Sequence, residues 1–338
     1  MAPEQVELSL KKAKGQEFIK KNIILIVLLA LCIGFAFGNS NFLTPKNLVN
    51  LTTQMAINAL LSVGLTYVII LGGIDISVGS VGALAGVLTA LVCRQLPPQT
   101  PLILLFTVQF LLALFVGLVL GIFNGFMVSN LHVVPMIATL ATMNIGRGLS
   151  YIFSGGTSVS GLPREYSILG ASRLIKTASQ PNGWLPVITL VVIVVVIAMH
   201  ILLSKTVFGR HVYATGSNIN VAHLSGINTQ RVTFYGYIIC SVMASLGGVL
   251  NSSKLQNGQP GAMEGYEMFA IAATVLGGTS LSGGSGSVAR AMIGCAIIAV
   301  INNGMNLLHV NSHWQKAVIG LIILLAVVLD MAQKRRKD

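Results

Sequence analysis

LGGIDISVGSVGALAG, residues 71–86, decides how this chain is read. One apolar run, 56–71, enters it and another, 78–92, leaves it. Asp75 stands near its start and is the only acidic residue between Glu17 and Glu165. A carboxylate between two membrane-type runs is costly at depth, so such residues face protein or a water-filled path. Gly72 and Gly73 let the backbone leave helical geometry here. Irregular backbone at membrane depth is tolerated only where protein buries it or a cavity wets it. Two readings of Asp75 stay open: a solvated turn at the membrane face, or a structural and pathway role.

Outward from this stretch, the composition sets the class. Of 338 residues, 54% are hydrophobic and only 9% are charged, against roughly 25% charged in a soluble domain. The chain is expected to be an all-α polytopic membrane protein. Crossing a hydrocarbon core of about 30 Å takes roughly 20 apolar helical residues. On that measure about ten candidate spans appear, at 23–38, 52–71, 78–92, 101–128, 134–153, 184–203, 232–250, 268–281, 288–308 and 315–331. The runs at 78–92 and 268–281 are short enough to be discontinuous helices. The chain then divides into an N-terminal segment, 1–22, one transmembrane domain, 23–331, and a basic tail, 332–338. Residues 1–22 are polar and basic and lack a small-residue cleavage site, so the first apolar run reads as a permanent anchor rather than a signal peptide.

The net charge of +12 gathers at the chain ends and in one central connection, 204–231. That pattern reads as a topology signal, not a nucleic-acid footprint. With ten spans the termini share a side. Placing them in the cytoplasm puts thirteen Lys and Arg inside and seven outside. The connection 204–231 then lies inside, and the long Gly/Ser-rich connection 154–183 outside. Cys32, Cys93, Cys240 and Cys295 show no CxxC spacing and read as small buried hydrophobes. No HExxH signature is present, and no metal site is expected. LGGIDIS at 71–77 recurs as LGGTSLS at 276–282, a short internal repeat of the kind transporter folds often carry.

Several polar groups inside or beside the spans are candidates for function. Arg147 lies in 134–153, where a cation needs a partner, a wet surface, or reach to the interface; Asp75 and Glu165 are candidate partners. Asn302 and Asn303 sit inside the ninth span and Asn124 late in the fourth. Buried amides need hydrogen-bond partners, so they read either as glue between helices or as a polar wall for a passing solute. Within 204–231, Ser217 or Asn218 caps a helix start and Gly226 suits the left-handed position that ends one. A helix of one or two turns between them is too short to stand alone in water. It needs a membrane surface or a partner.

GRHVYATGSN at 209–218, followed by AHLSGI at 222–227, resembles the coupling segment of sugar-type ABC importer permeases. GIDISVG at 73–79 and YEMFAIAATVLGGTSLSGGSGSV at 266–288 resemble two other signatures of the same branch, the ribose/xylose/galactose/arabinose-type membrane subunits. The resemblance runs from about residue 42 to 330, with motifs in matching order. It implies an ABC importer permease fold in a bacterial cytoplasmic (inner) membrane, carrying a monosaccharide. The implied partners are ATP-binding-cassette ATPase subunits, an extracytoplasmic sugar-binding protein and a second permease copy or sibling. ATP and Mg would sit on the ATPase subunits, with no cofactor on this chain. The sequence agrees: no Gly-Lys dipeptide occurs, so no phosphate loop of the GxxxxGK[ST] kind is present. By the resemblance Gly209, Arg210, Ala214, Gly216, Asn218, Ala222, Ser225, Gly226 and Ile227 form the coupling surface. Asp75, Asn124, Arg147, Asn302 and Asn303 are candidates for path or gate. Glu264 and Glu267 are candidates for docking the binding protein. The aspartate that relatives carry after the Tyr-Glu pair is Phe269 here. An ion-coupled transporter using Asp75 and Arg147 as a relay is the alternative. An intramembrane enzyme is disfavoured, since neither HExxH nor a full GxSxG occurs.

Overall fold

The computed structural model describes residues 24–97, 99–175, 183–311, 313–315, 317–322, 324 and 328. The N-terminal segment 1–22, the tail 332–338, and most of the cations used to orient the chain therefore lie outside the described residues. Helices follow the hydropathy runs closely: α1 (Ile24–Gly38), α2 (Pro45–Ile70), α3 (Val78–Arg94), α4 (Leu102–Ser129) and α5 (Pro135–Ser154). After a connection come α7 (Val187–Lys205), α10 (Thr229–Leu255), α11 (Tyr266–Leu276) and α12 (Val288–Leu307), with further helical residues between 313 and 328. Five of these are long and apolar enough to cross a membrane, while α1, α3 and α11 are shorter apolar helices. Prolines at the first turns of α2 and α5 open those helices without losing a ladder bond.

α10 is the axis of the bundle and packs against α2, α3 and α4. Small residues make this approach, as they must where lipid supplies no hydrophobic drive between helices. Gly117, Gly121 and Gly125 of α4 form a row with a four-residue period. A Cβ there would lie 2.6 Å from the Val242 Cα, 2.8 Å from the Ile238 Cα and 2.9 Å from Phe234. α2 is enclosed along its second half, where 56–70 is buried apart from half-buried Asn58. α4 and α7 instead leave Phe110, Phe115, Val194 and Ile197 exposed, the surface expected against acyl chains.

The long connection 154–183 is more structured than its Gly/Ser content implies. It holds a 3₁₀ turn (Arg164–Ser167), α6 (Ile168–Ala171) and strand β1 (Arg173–Leu174), paired antiparallel with β2 (Leu185–Pro186). Tyr166 is fully buried and its hydroxyl lies 2.7 Å from Ser252 Oγ, pinning the connection onto the end of α10.

The connection 204–231 forms two helices, α8 (Val207–Ser217) and α9 (Ile219–Leu224). α8 was not expected from the sequence, whose polar residues hid an apolar contact face of Val212 with half-buried Phe208 and Tyr213. α10 begins beside α9, so α8 and α9 mark one face of the bundle. The loop 256–265 lies about 40 Å away along a 27-residue helix, on the other.

Candidate functional site

The break between α2 and α3 is buried, which removes the reading of Asp75 as a solvated turn. α2 ends at Ile70, Gly72 takes φ 82°, and Asp75 has no exposed surface. Asp75 Oδ1 accepts from the Ser77 N–H at 2.9 Å and from Ser77 Oγ at 2.5 Å, so the carboxylate fixes the start of α3. Ser77 Oγ in turn accepts from Asn124 Nδ2 at 3.1 Å, and Asn124 Oδ1 accepts from Thr142 Oγ1 at 2.5 Å. A carboxylate only accepts, so every hydrogen in this chain points towards Asp75, from α5 through α4 to the break. Thr139 of α5 adds a second tie, accepting from the Ile76 N–H at 3.3 Å. Asp75 Oδ2 and the Tyr237 hydroxyl have no hydrogen-bond partner among the described residues. The Cys240 thiol beside the carboxylate is only a weak donor.

Arg147 does not pair with Asp75 or Glu165. Its Nη1 donates to the carbonyls of Pro260 (2.7 Å) and Ala262 (2.8 Å), clamping the loop 256–265 onto α5. Met263 of that loop is buried with φ 57°, against Gly82 of α3. Glu264 is exposed. Glu267 is half-buried near Gly79, and its Oε1 accepts from the Gly265 N–H at 3.2 Å, closing the start of α11. Asn303 is glue: its Nδ2 donates to Asn47 Oδ1 at 2.9 Å, while Asn47 Nδ2 donates to Asn303 Oδ1 at 2.8 Å. Asp75, Asn124 and Asn303 thus sit inside the packed chain, and Asn302 is half-buried.

The residues of 204–231 come together as one device. Asn218, rather than Ser217, caps α9: its Oδ1 accepts from the N–H groups of Asn220 (3.0 Å) and Val221 (3.1 Å). Gly226 closes the helix at φ 82°. Only Ala222 of α9 is buried, while Ile219, Val221 and Leu224 are exposed, Leu224 to 86%. Gly209 and Gly216 are close-approach positions. A Cβ on Gly216 would collide with the Ile70 carbonyl, and one on Gly209 with that of Leu203. Arg210, Ser225 and Gly226 are exposed, with Ala214 and Ile227 half-buried.

Sequence reasoning did not anticipate the third partner at this junction. The Gly284 N–H donates to the Ile70 carbonyl at 2.8 Å, and Tyr213 Oη of α8 donates to the Gly286 carbonyl at 2.9 Å. The flanks of the two LGG repeats therefore meet: 283–286 lies against the end of α2 and against α8. The break that holds Asp75 is joined by backbone contacts to the helix that carries α9. Beside α9 a cleft of about 620 Å³ is floored by Leu71 and walled by His132, His223 and Asn228. His309 and His313 stand four residues apart, but a left-handed backbone at His309 (φ 58°) takes them off a common helix. No cluster of metal-ligating side chains forms among the described residues.

Residues 47–327 match the family model described as branched-chain amino acid transport system / permease component. The chain is 38% identical to the ribose import permease protein of Bacillus subtilis (strain 168), over 98% of both chains. It is 38% identical to that of Escherichia coli (strain K12), over 90% of this chain and 92% of the relative. It is 32% identical to the xylose transport system permease protein of Escherichia coli (strain K12), over 99% and 98%. No solved structure matches. These likenesses favour a transport permease component over an ion-coupled transporter acting alone.

Proposed function

This chain belongs to the branched-chain amino acid transport system permease component family, and from that membership we propose that it is the membrane subunit of a bacterial ATP-binding-cassette importer for a monosaccharide. Ribose and xylose permeases among its relatives support the substrate class. The single observation that carries the mechanism is α9. A six-residue helix with three exposed apolar side chains is unstable alone, so it needs a partner surface. Here that partner is the ATPase subunit, which binds ATP and Mg. Its closure moves α9 and α8, and the Gly216–Gly284–Ile70 junction passes the movement to the break at Asp75. Arg210, exposed on α8, pairs with a carboxylate of the ATPase.

In the same reading, a second permease copy or a sibling completes the path. Both termini and α9 face the cytoplasm of the inner membrane. The loop 256–265 faces outward, where exposed Glu264, with Glu267 behind it, meets the extracytoplasmic sugar-binding protein. The Asp75–Ser77–Asn124–Thr142 chain acts as the inner lock and the Arg147 clamp as the outer one.

The test is reconstitution of the complete assembly in vesicles. Uptake of radiolabelled ribose or xylose should require ATP, the ATPase and the binding protein. Uptake that persists without ATP, or that an uncoupler abolishes while ATP is present, would overturn the proposal.

A further inference from the structure

α5 connects the two locks. Thr139, near its start, holds the Ile76 N–H of the break, and Arg147 holds the loop 256–265. Between them stands Asn144, about 14 Å from Pro135 and about 15 Å from Ser154 along the helix, close to the middle of α5. Asn144 is exposed, and its Nδ2 donates only to the Leu140 carbonyl of its own helix, at 3.0 Å. That carbonyl is already an acceptor in the helix ladder. The Asn144 side-chain carbonyl and its second N–H have no partner among the described residues. An amide left so against acyl chains costs on the order of 1–3 kcal/mol or more. Ala141 and Gly148, one turn to either side, are exposed too, and a Cβ on Gly148 would meet nothing within 4 Å. The buried side of α5 is instead the one that packs on α3, through Gly146 against Ser80.

We propose that the α5 face of Ala141, Asn144 and Gly148 lines a water-filled path, and that the Asn144 amide exchanges hydrogen bonds with the hydroxyls of a passing neutral sugar. This rests on the importer reading for the identity of the solute, but not for the presence of water. An amide suits that task because it both donates and accepts, as a sugar hydroxyl does, and carries no charge that would hold a cation or anion instead. It is a contact the solute leaves easily.

Asn144→Cys and Gly148→Cys test the path in the complete assembly in membrane vesicles. Cys32 is replaced by Ser, since the other three cysteines are buried. Phe115→Cys and Val194→Cys, on exposed apolar surface of α4 and α7, serve as references for lipid. The thiolate, which forms in water and not in hydrocarbon, attacks the hydrophilic sulfonatoethyl methanethiosulfonate, forming a mixed disulfide and releasing methanesulfinate. Both α5 cysteines should react at least about tenfold faster than the two references. Reaction of the α5 cysteines only with the membrane-permeant N-ethylmaleimide would place this face in lipid. Reaction with neither reagent would bury it against another copy of the chain. Either result overturns the proposal. In the native background, Asn144→Leu should lower ribose or xylose uptake, and Asn144→Gln should restore part of it; equal uptake by both would remove the sugar contact. If the wild-type assembly moved neither sugar with ATP, the importer reading would fall, while labelling would still report water at Asn144.

Discussion

Replacing Asp75 separates two roles that a buried carboxylate can play: holding a turn by its geometry, or acting by its charge. In Asp75→Leu, the Ser77 N–H and the Ser77 hydroxyl both lose their acceptor inside a fully buried site. Each buried donor left unpaired costs about 1–3 kcal/mol. Hydrogen bonds between membrane helices are worth only about 0.6 kcal/mol on average, and removing a buried charge returns part of the loss. A net destabilisation of about 2–4 kcal/mol is expected for the leucine variant. Asp75→Asn keeps Oδ1 as acceptor for both donors and places an amide where Oδ2 has no partner. It should cost less than the leucine change, because both Ser77 donors keep their acceptor. The assay is equilibrium unfolding in mixed micelles titrated with dodecyl sulfate, followed by near-ultraviolet circular dichroism, alongside ATP-dependent uptake. The leucine variant should lose both stability and uptake, and the asparagine variant should keep most of each. An asparagine variant as damaged as the leucine one would show that the charge matters, not the turn, and would refute the reasoning.

Three further outcomes are expected. In the Asn47–Asn303 pair, either single change to Ala leaves one buried amide without its partner and should cost about 1–3 kcal/mol, whereas the double change should cost less than the sum of the two; additive losses in the same unfolding assay would mean the pair is not coupled. Arg147→Met removes both carbonyl contacts and should speed proteolysis in the loop 256–265 while α9 still binds the ATPase; an unchanged cleavage rate would count against the clamp. Gly226→Ala meets open space but must adopt φ 82°, a strain of about 1–2 kcal/mol confined to the end of α9. It should lower uptake per ATP hydrolysed without changing the yield of folded protein, and an unaltered ratio would free α9 from the coupling role.

Length and hydropathy marked the membrane runs, because each must satisfy its own backbone, while α6 and α8 in the connections were not read from the sequence. The departure from helix at Gly72 and Gly73, a cap at Ser217 or Asn218 and the left-handed stop at Gly226 were legible for the same reason: each is a local backbone requirement that a particular residue type meets. Tertiary structure decided what those signals served. The glycine row 117, 121 and 125 is plain in the sequence, but only packing reveals that α10 lies on it. The two LGG stretches look alike in the chain, yet nothing in either says that Gly284 donates to the carbonyl of Ile70. Asp75 and Glu165 were open candidates as partners of Arg147 until the fold gave Asp75 a serine and Arg147 two carbonyls. A buried polar group announces that it needs a partner, and only the long-range fold chooses which, since the partners of Asn124, Arg147 and Asn303 come from different helices or loops.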